Sequence, residues 1–348
     1  MKILYTGLEN DYYLPKRGKS FEYNNFYLSL KGLPSTEVIN LPFDRILEVG
    51  KEKFNEELLE TVKKEKPDLV FAFMLSDEFD PKVLQEIKKI TTSLAWFADD
   101  SWRFYNYSRY WAHLFTWVAT TYSWTPALFK KYGQPNVVRS QWAANANTYK
   151  PTGLNDSSKI QPDVCFVGGW SKPRQKLVDA LISRGVKVSV FGGGWAGGRV
   201  SDEEMLRLFS ASKINLGLNP SPGYFNKNSL GRLFARRSVN KFVPDFHLLS
   251  NIRCLLSRGI PQIKARHFEI PACGGFVITS MADDLDKYYT PGKEIVIYSD
   301  LDDFVEKINY YLKNGEERKS IAKAGYERTI REHTYEKRFL DIFKHIGL

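Results

Sequence analysis

Cysteine pairs, histidine clusters and long apolar runs are all missing from this sequence, and each absence closes a route. Cys165, Cys254 and Cys273 are the only cysteines in 348 residues. They lie in apolar contexts without paired spacing, so reduced core thiols of a cytoplasmic protein are expected rather than disulfides or a zinc site. No His/Cys/Asp grouping has ligand spacing, and no metal is expected. No stretch reaches the roughly 18 uncharged apolar residues that a spanning helix needs. Met1-Lys-Ile-Leu-Tyr-Thr-Gly7 runs straight into a strand-like segment, without the apolar region of a signal peptide.

What remains is an ordinary globular mixture, 43% hydrophobic and 26% charged, rich in aromatics at 14%. The length suits two domains of roughly 150–190 residues each. The net charge is +10, and its distribution is uneven. Between Pro220 and Phe268 stand Lys227, Arg232, Arg236, Arg237, Lys241, Arg253, Arg258, Lys264 and Arg266 against Asp245 alone, a local excess of +8. Such a segment attracts a nucleotide diphosphate, anionic lipid or nucleic acid, unless it is only a solvated face. Tyr224, Phe225, Leu230, Leu233, Phe234 and Phe242 interleave with the cations. This mixture suits a phosphorylated lipid or the inner face of a membrane. A nucleic-acid partner is disfavoured.

Short apolar runs alternate with amphipathic stretches along the chain. Strands are predicted at 3–7, 38–41, 69–75, 93–98 and 115–121, with helices at 20–33, 51–66 and 81–89. Leu69-Val-Phe-Ala-Phe-Met-Leu75 is continuously apolar, as in a central parallel strand buried on both faces. Residues 145–161 are turn-rich and read as a linker. The pattern then restarts, with strands at 163–168, 186–191, 213–218, 276–279 and 294–298 and helices at 173–184, 203–210 and 266–273. The last 45 residues or so read as helix, broken near Asn314-Gly315 and His333-Thr334. An α/β protein of two Rossmann-like, doubly wound domains is predicted, with ligands expected in a cleft between them.

The most specific stretch is Lys264-Ala-Arg-His-Phe-Glu-Ile-Pro-Ala-Cys-Gly-Gly-Phe-Val-Ile-Thr-Ser280. Arg266 and Glu269 share a helix face whose N-terminus suits a diphosphate, while a carboxylate there can accept from both ribose hydroxyls. A plain surface ion pair is the bland alternative. Gly168 and Gly169 separate a strand from a helix, so their backbone can approach a phosphate, and Lys172 and Arg174 could neutralise a leaving diphosphate. Trp195, inside the glycine-rich run 192–198, could stack on a base or cap the core. Asn215 and Asn219 flank a strand end, facing the ligand or merely forming a turn. In the first half, Asp99 and Asp100 follow an apolar strand and can act as general base or as helix caps, with Asp100 ahead. Gly7 ends the first strand and is an acceptor-loop candidate. His113 reads as a core histidine.

Phe268-Glu-Ile-Pro-Ala-Cys-Gly-Gly-Phe-Val-Ile-Thr279 resembles the donor-site signature of GT-B glycosyltransferases, those with two Rossmann-like lobes. It is similar above all to the spore-maturation (CgeB-type) group, which is related to the large retaining family. Tyr289–Tyr298 and Asp302–His333 look like that lobe's late strand and closing helices, whereas the first half matches loosely, through Trp96-Phe-Ala-Asp-Asp100 and the turn-rich stretch ending at Pro151. The resemblance implies an acceptor domain over 1–150 and a nucleotide-sugar donor domain over 151–333, carrying the basic insertion at about 220–262. A final helix, 334–348, would cross back to the first domain. Glu269 matches the glutamate that holds the nucleotide ribose. The glutamate eight positions earlier is replaced by Pro261, so the resemblance does not carry over the family's sugar contact or its retaining stereochemistry.

The function so implied is transfer of a hexosyl or N-acetylhexosaminyl group from a UDP-, GDP- or dTDP-linked donor to a glycan, lipid-linked or protein acceptor, with no cofactor. Asp284-Leu-Asp286 and Asp300-Leu-Asp302 spell D-x-D, the metal motif of another glycosyltransferase fold, but stand at helix starts where aspartates cap N–H groups. The rival readings are a nucleotide-sugar 2-epimerase-like enzyme and a catalytically degenerate GT-B binding module.

Overall fold

The computed structural model describes residues 1–152, 161–219 and 227–348. Part of the predicted linker, 153–160, and the start of the basic segment, 220–226 with Tyr224 and Phe225, lie outside the described residues. The chain divides into two compact units. Unit 1 is Met1–Gln141, Tyr224–Gly259 and Tyr335–Leu348, and unit 2 is Trp142–Gly223 and Ile260–Thr334.

Unit 1 is built on six parallel strands: β1 (Lys2–Thr6), β2 (Glu37–Asn40), β3 (Leu69–Met74), β4 (Thr92–Phe97), β5 (Trp117–Thr120) and β6 (Val137–Arg139). Their order is β2-β1-β3-β4-β5-β6, so the winding reverses between β1 and β3. All six residues of β3 are buried, as its unbroken apolar run requires of a strand covered by helices on both faces. Phe26 packs edge-on against Phe73 and Trp96, at centroid distances of 4.8 and 4.9 Å. Tyr335 and Phe339 of the C-terminal helix Tyr335–Ile346 close the same aromatic cluster. That helix is amphipathic at i, i+4, i+7 and i+8 (Tyr335, Phe339, Ile342, Phe343), and this buried face is what holds it in unit 1. The helix predicted at 20–33 contains a π-turn, Tyr23–Tyr27, and a second π-turn spans Phe104–Ser108. His113 is exposed rather than in the core.

The basic segment adds a hairpin to unit 1, β10 (Ala235–Ser238) against β11 (Lys241–Pro244), followed by the helix Leu248–Ser257. The sequence placed this segment in the second domain; its contacts place Tyr224–Gly259 in the first. Arg236 pairs with Asp77 at 2.8 Å, and the Val239 N–H donates to Ser76 Oγ at 2.8 Å. Arg237 lies over the rings of Tyr12 and Tyr13. The hairpin therefore sits at the carboxyl end of β3, beside the winding reversal. Sequence distance hides such a return.

Unit 2 has five parallel strands: β7 (Val164–Val167), β8 (Ser189–Phe191), β9 (Ile214–Gly217), β12 (Val277–Ser280) and β13 (Val296–Tyr298). Their order is β13-β12-β9-β7-β8, so the reversal falls between β7 and β9. Helices at Lys172–Ser183, Asp202–Ala211, Arg266–Ala272 and Leu301–Lys313 connect or cover them. Ser171, Ser201 and Asp300 cap three of these, each side chain accepting a backbone N–H.

Candidate functional site

In doubly wound sheets, ligands bind outside the carboxyl ends of the strands where the winding reverses. In unit 2 that point lies beyond Val167 and Gly217, and the chain places Gly168-Gly169 and Leu218-Asn219 there. Arg174 bridges the two turns, its Nε donating to the Leu218 carbonyl at 3.1 Å and Nη1 to the Gly169 carbonyl at 2.7 Å. Burial, with the charge of Arg266 added, lowers its pKa to about 10. Two guanidiniums thus repel each other across the switch point, and an anion between them would relieve that repulsion. Arg266 is half-buried, and its Nε finds no partner among the described residues. Lys172, the first residue of its helix, is exposed at the rim.

Asn219 contacts His267 at 3.1 Å, and His267 in turn reaches Thr279 Oγ1 at 3.0 Å. Burial pushes the His267 pKa down to about 4, so it is neutral near pH 7 and orders the turn rather than charging it. Glu269 is buried, and its carboxyl is raised by burial while Arg266 and a hydrogen bond from Tyr149 oppose the rise. The helix N-terminus is not the bare donor array expected from the sequence. The N–H groups of His267, Phe268 and Glu269 already donate to Lys264 and Ala265 carbonyls. The positive charge beside this turn therefore comes from the Arg266 and Arg174 side chains.

Two sequence candidates take structural roles. Trp195 is core: it packs on Phe166 and its Nε1–H donates to the Gly168 carbonyl at 2.8 Å, so no ring face is offered to a base. Asn215 is buried, its amide donating to the carbonyls of Phe209 and Phe276. Trp195 holds the turn that carries Gly168, and Asn215 ties the start of β9 to the segments that precede β9 and β12. The second glycine loop is shaped by close approach. A Cβ on Gly192, where φ is +128°, would stand 2.2 Å from the Gly168 carbonyl oxygen.

In unit 1 the reversal lies beyond Thr6 and Met74, where Gly7 and Ser76 stand. Gly7 has a steric reason to be glycine, since a Cβ would meet the Tyr5 hydroxyl at 2.3 Å. Asp99 and Asp100 follow β4. Asp100 is wholly buried and accepts from Ser108 of the π-turn; burial raises its pKa to about 7. A side chain so enclosed cannot touch an acceptor, which reverses the sequence order in favour of Asp99, partly exposed. Glu22, which the sequence reading passed over, is raised to about 7 by burial at the entry to the other π-turn. Nothing in its helical spacing marks it. The contact that places it is made by its backbone, whose carbonyl accepts from the Tyr5 hydroxyl of β1 at 3.3 Å.

The buried Asp100 has a measurable consequence. Its folded pKa lies above the unfolded value, so its contribution is fully present below about pH 4 and is lost as pH rises through about 7. Asp100→Asn should abolish that loss and raise stability at pH 8 by roughly 1–2 kcal/mol, with little change at pH 4. Chemical denaturation at the two pH values checks it, and equal effects at both would remove the shifted titration.

Among the described residues no three His, Cys, Asp or Glu side chains come together as a metal site. Asp300 caps its helix by accepting the Asp303 N–H at 3.0 Å, and Asp284 pairs with Lys287 at 3.1 Å. No helix of the described residues is long and apolar enough to cross a membrane.

Residues 174–344 match the family described as glycosyl transferase-like. Over 211 residues, 60% of this chain, the sequence is 23% identical to spore protein CgeB of Bacillus subtilis strain 168, and the match spans 61% of that protein's length. Anabaena HepE, solved in complex with UDP, shares the fold at a TM-score of 0.60 and 14% identity, covering 100% of each chain. Sucrose-phosphate synthase of Thermosynechococcus elongatus does so at a TM-score of 0.62 and 13% identity, over 100% of this chain and 98% of that one. The chain is accordingly a GT-B-fold protein that resembles the CgeB-type glycosyltransferases, with residues 174–344 matching the glycosyl transferase-like family.

Proposed function

We propose that this protein is a glycosyltransferase whose second unit holds a nucleotide-diphosphate sugar and whose first unit receives the acceptor. The observation that carries the reading is the pair of guanidiniums, Arg174 and Arg266, at the winding reversal of unit 2, with Glu269 on the same short helix. The bond between the sugar's anomeric carbon and the diphosphate breaks, an acceptor oxygen bonds to that carbon, and the acceptor's proton passes to a base. Arg174, Arg266 and Lys172 would stabilise the charge that grows on the leaving diphosphate. Asp99 is the base candidate in unit 1. The HepE complex with UDP favours a UDP-linked donor, and a hexose or N-acetylhexosamine is the proposed sugar.

Incubation with UDP-, GDP- and dTDP-sugars should release nucleoside diphosphate from one class, and release should survive EDTA. An epimerised donor without release would favour the epimerase, and no turnover of any donor would favour a binding module.

The partner that brings the acceptor is proposed to be an anionic membrane surface. Phe242, Phe246 and Leu249 are 78, 89 and 79% exposed, beside the exposed cations Lys241 and Arg253. Large apolar side chains left in water next to positive charge complement an anionic leaflet, where each cation contributes about 1 kcal/mol. Arg236 and Arg237 are poor test positions because they pair with Asp77 and with Tyr12 and Tyr13 inside unit 1. Replacing Phe242, Phe246 and Leu249 with Ser should abolish flotation with vesicles containing phosphatidylglycerol. Unaltered flotation of that variant, or equal flotation with neutral vesicles, would defeat the membrane reading.

A further inference from the structure

Trp170 is the first residue after the glycine pair at the winding reversal of unit 2, and it is 47% exposed. Its place is fixed at both ends. The Trp170 backbone N–H donates to the Gly193 carbonyl at 2.8 Å, which joins the turn after β7 to the turn after β8. The indole Nε1–H donates to Gln175 Oε1 at 3.0 Å, and Gln175 Nε2 donates in turn to Asp179 Oδ1 at 2.8 Å. The ring is thereby tied to the helix Lys172–Ser183. Gly194, where φ is +88°, approaches so closely that a Cβ there would meet Trp170 Cβ at 2.8 Å.

Around the indole the chain is bare. Gly169, Gly193 and Gly194 are exposed, and a Cβ on Gly169 would have no atom within 4 Å. One broad aromatic side chain thus rises from open backbone at the strand end. Leaving such a ring half in water is unfavourable, and covering it with a ligand recovers that cost. An indole anchored by its edge has also lost part of the rotamer freedom that binding would otherwise remove. The neighbouring charge indicates what ring comes to it. Arg174 Nη1 donates to the Gly169 carbonyl at 2.7 Å, so a guanidinium reaches the residue next to Trp170. A diphosphate held by Arg174 brings the nucleoside attached to it to this shelf.

We propose that Trp170 is the platform on which the base of the nucleotide-sugar donor stacks. The inference rests on the reading of unit 2 as the donor unit, and it adds the residue that holds the base. Trp195, turned into the core, does not fill that role; Trp170, two residues after Gly168, presents the same ring chemistry outward. Stacking tolerates any base, because every base has a π-face. Trp170 therefore sets how tightly the nucleoside is held, and the choice among uracil, guanine and thymine falls to groups that meet the base edge.

Isothermal titration of the full chain with UDP, GDP and dTDP identifies the nucleoside diphosphate that binds most tightly. That ligand is then titrated into Trp170→Ala and Trp170→Phe, with inorganic pyrophosphate as the ligand that lacks a base. Trp170→Ala is expected to weaken the nucleoside diphosphate by about tenfold or more and to leave pyrophosphate unchanged. Trp170→Phe keeps a ring face and should stay within about threefold of the wild type. Equal affinity of the wild type and Trp170→Ala overturns the stacking role. A parallel loss of pyrophosphate also overturns it, because the residue would then only shape the turn that carries Gly169. An effect confined to the matching sugar nucleotide, with the diphosphate itself unaltered, would move Trp170 to the sugar and equally overturn the base assignment. Should Trp170→Ala melt lower than the wild type, Trp170→Leu against Trp170→Phe decides by the same criterion, since both are apolar and only one has a ring. If no nucleoside diphosphate binds the wild type, the donor reading falls and this inference with it; every other outcome leaves the donor reading standing.

Discussion

Glu269→Ala is expected to weaken UDP binding by about 1.5–3 kcal/mol, roughly ten- to 150-fold in Kd. Glu269 lies in the first turn of the helix Arg266–Ala272, one turn after Arg266. Its carboxyl is buried, which alone would favour the protonated form; Arg266 and the hydrogen bond from Tyr149 favour the carboxylate. A carboxylate kept in such a place at the cost of desolvation is suited to accept from a diol, as a ribose presents. Removing it has a second effect. Arg266 would lose its counter-charge while still facing Arg174, and the repulsion that lowers Arg174 would grow. A bound diphosphate offsets that repulsion, so part of the loss in ribose contacts is returned. Glu269→Gln separates the two contributions, because it keeps acceptor oxygens and removes the charge. Isothermal titration with UDP is the measurement. Unchanged affinity in a folded Glu269→Ala protein would take the residue out of the donor site and with it the family analogy on which its role rests.

Much of the fold was legible because period and burial agree. Leu69–Met74 is apolar throughout and lies buried between covering helices. The restart of strand and helix at Asp163 marks β7, the first strand of unit 2. What was not legible has two physical sources. Short elements carry too few residues for a period to show, so β6, three residues long, went unmarked. Contacts across great sequence distance leave no local trace either. Nothing in Arg236 or Ser238 announces that Asp77, about 160 positions earlier, will receive both. For the site, Gly168, Gly169, Arg174, Asn219 and Arg266 come together at one reversal of unit 2, with Glu269 on the same short helix as Arg266. Direction was the missing quantity. A tryptophan in a glycine loop and an asparagine at a strand end read equally well inward and outward, and Trp195 and Asn215 both point inward. Asp100 shows the same ambiguity, because a carboxylate that begins a helix can turn to solvent or, as here, to Ser108 in the interior.

Trp195→Ala should therefore cost stability rather than base recognition, by about 3–5 kcal/mol, the range for truncating a large buried aromatic side chain. Trp195 is only 7% exposed and packs edge-on to Phe166 with centroids 6.0 Å apart. Its indole N–H satisfies the Gly168 carbonyl, while the Gly168 N–H donates to Phe191. The alanine variant would leave a cavity beside β7 and an unsatisfied carbonyl at the turn that carries Gly169. The melting temperature of the variant should fall by on the order of 10 °C. Trp195→Phe restores most of the apolar volume and loses only the hydrogen bond, so its cost should be about 1 kcal/mol. The alternative, in which the indole stacks on a nucleotide base, makes the opposite demand. Stacking predicts that Trp195→Ala melts as the wild type does while UDP affinity drops. Scanning calorimetry of the two variants decides between them, and an unshifted transition in the alanine variant would return Trp195 to the donor site.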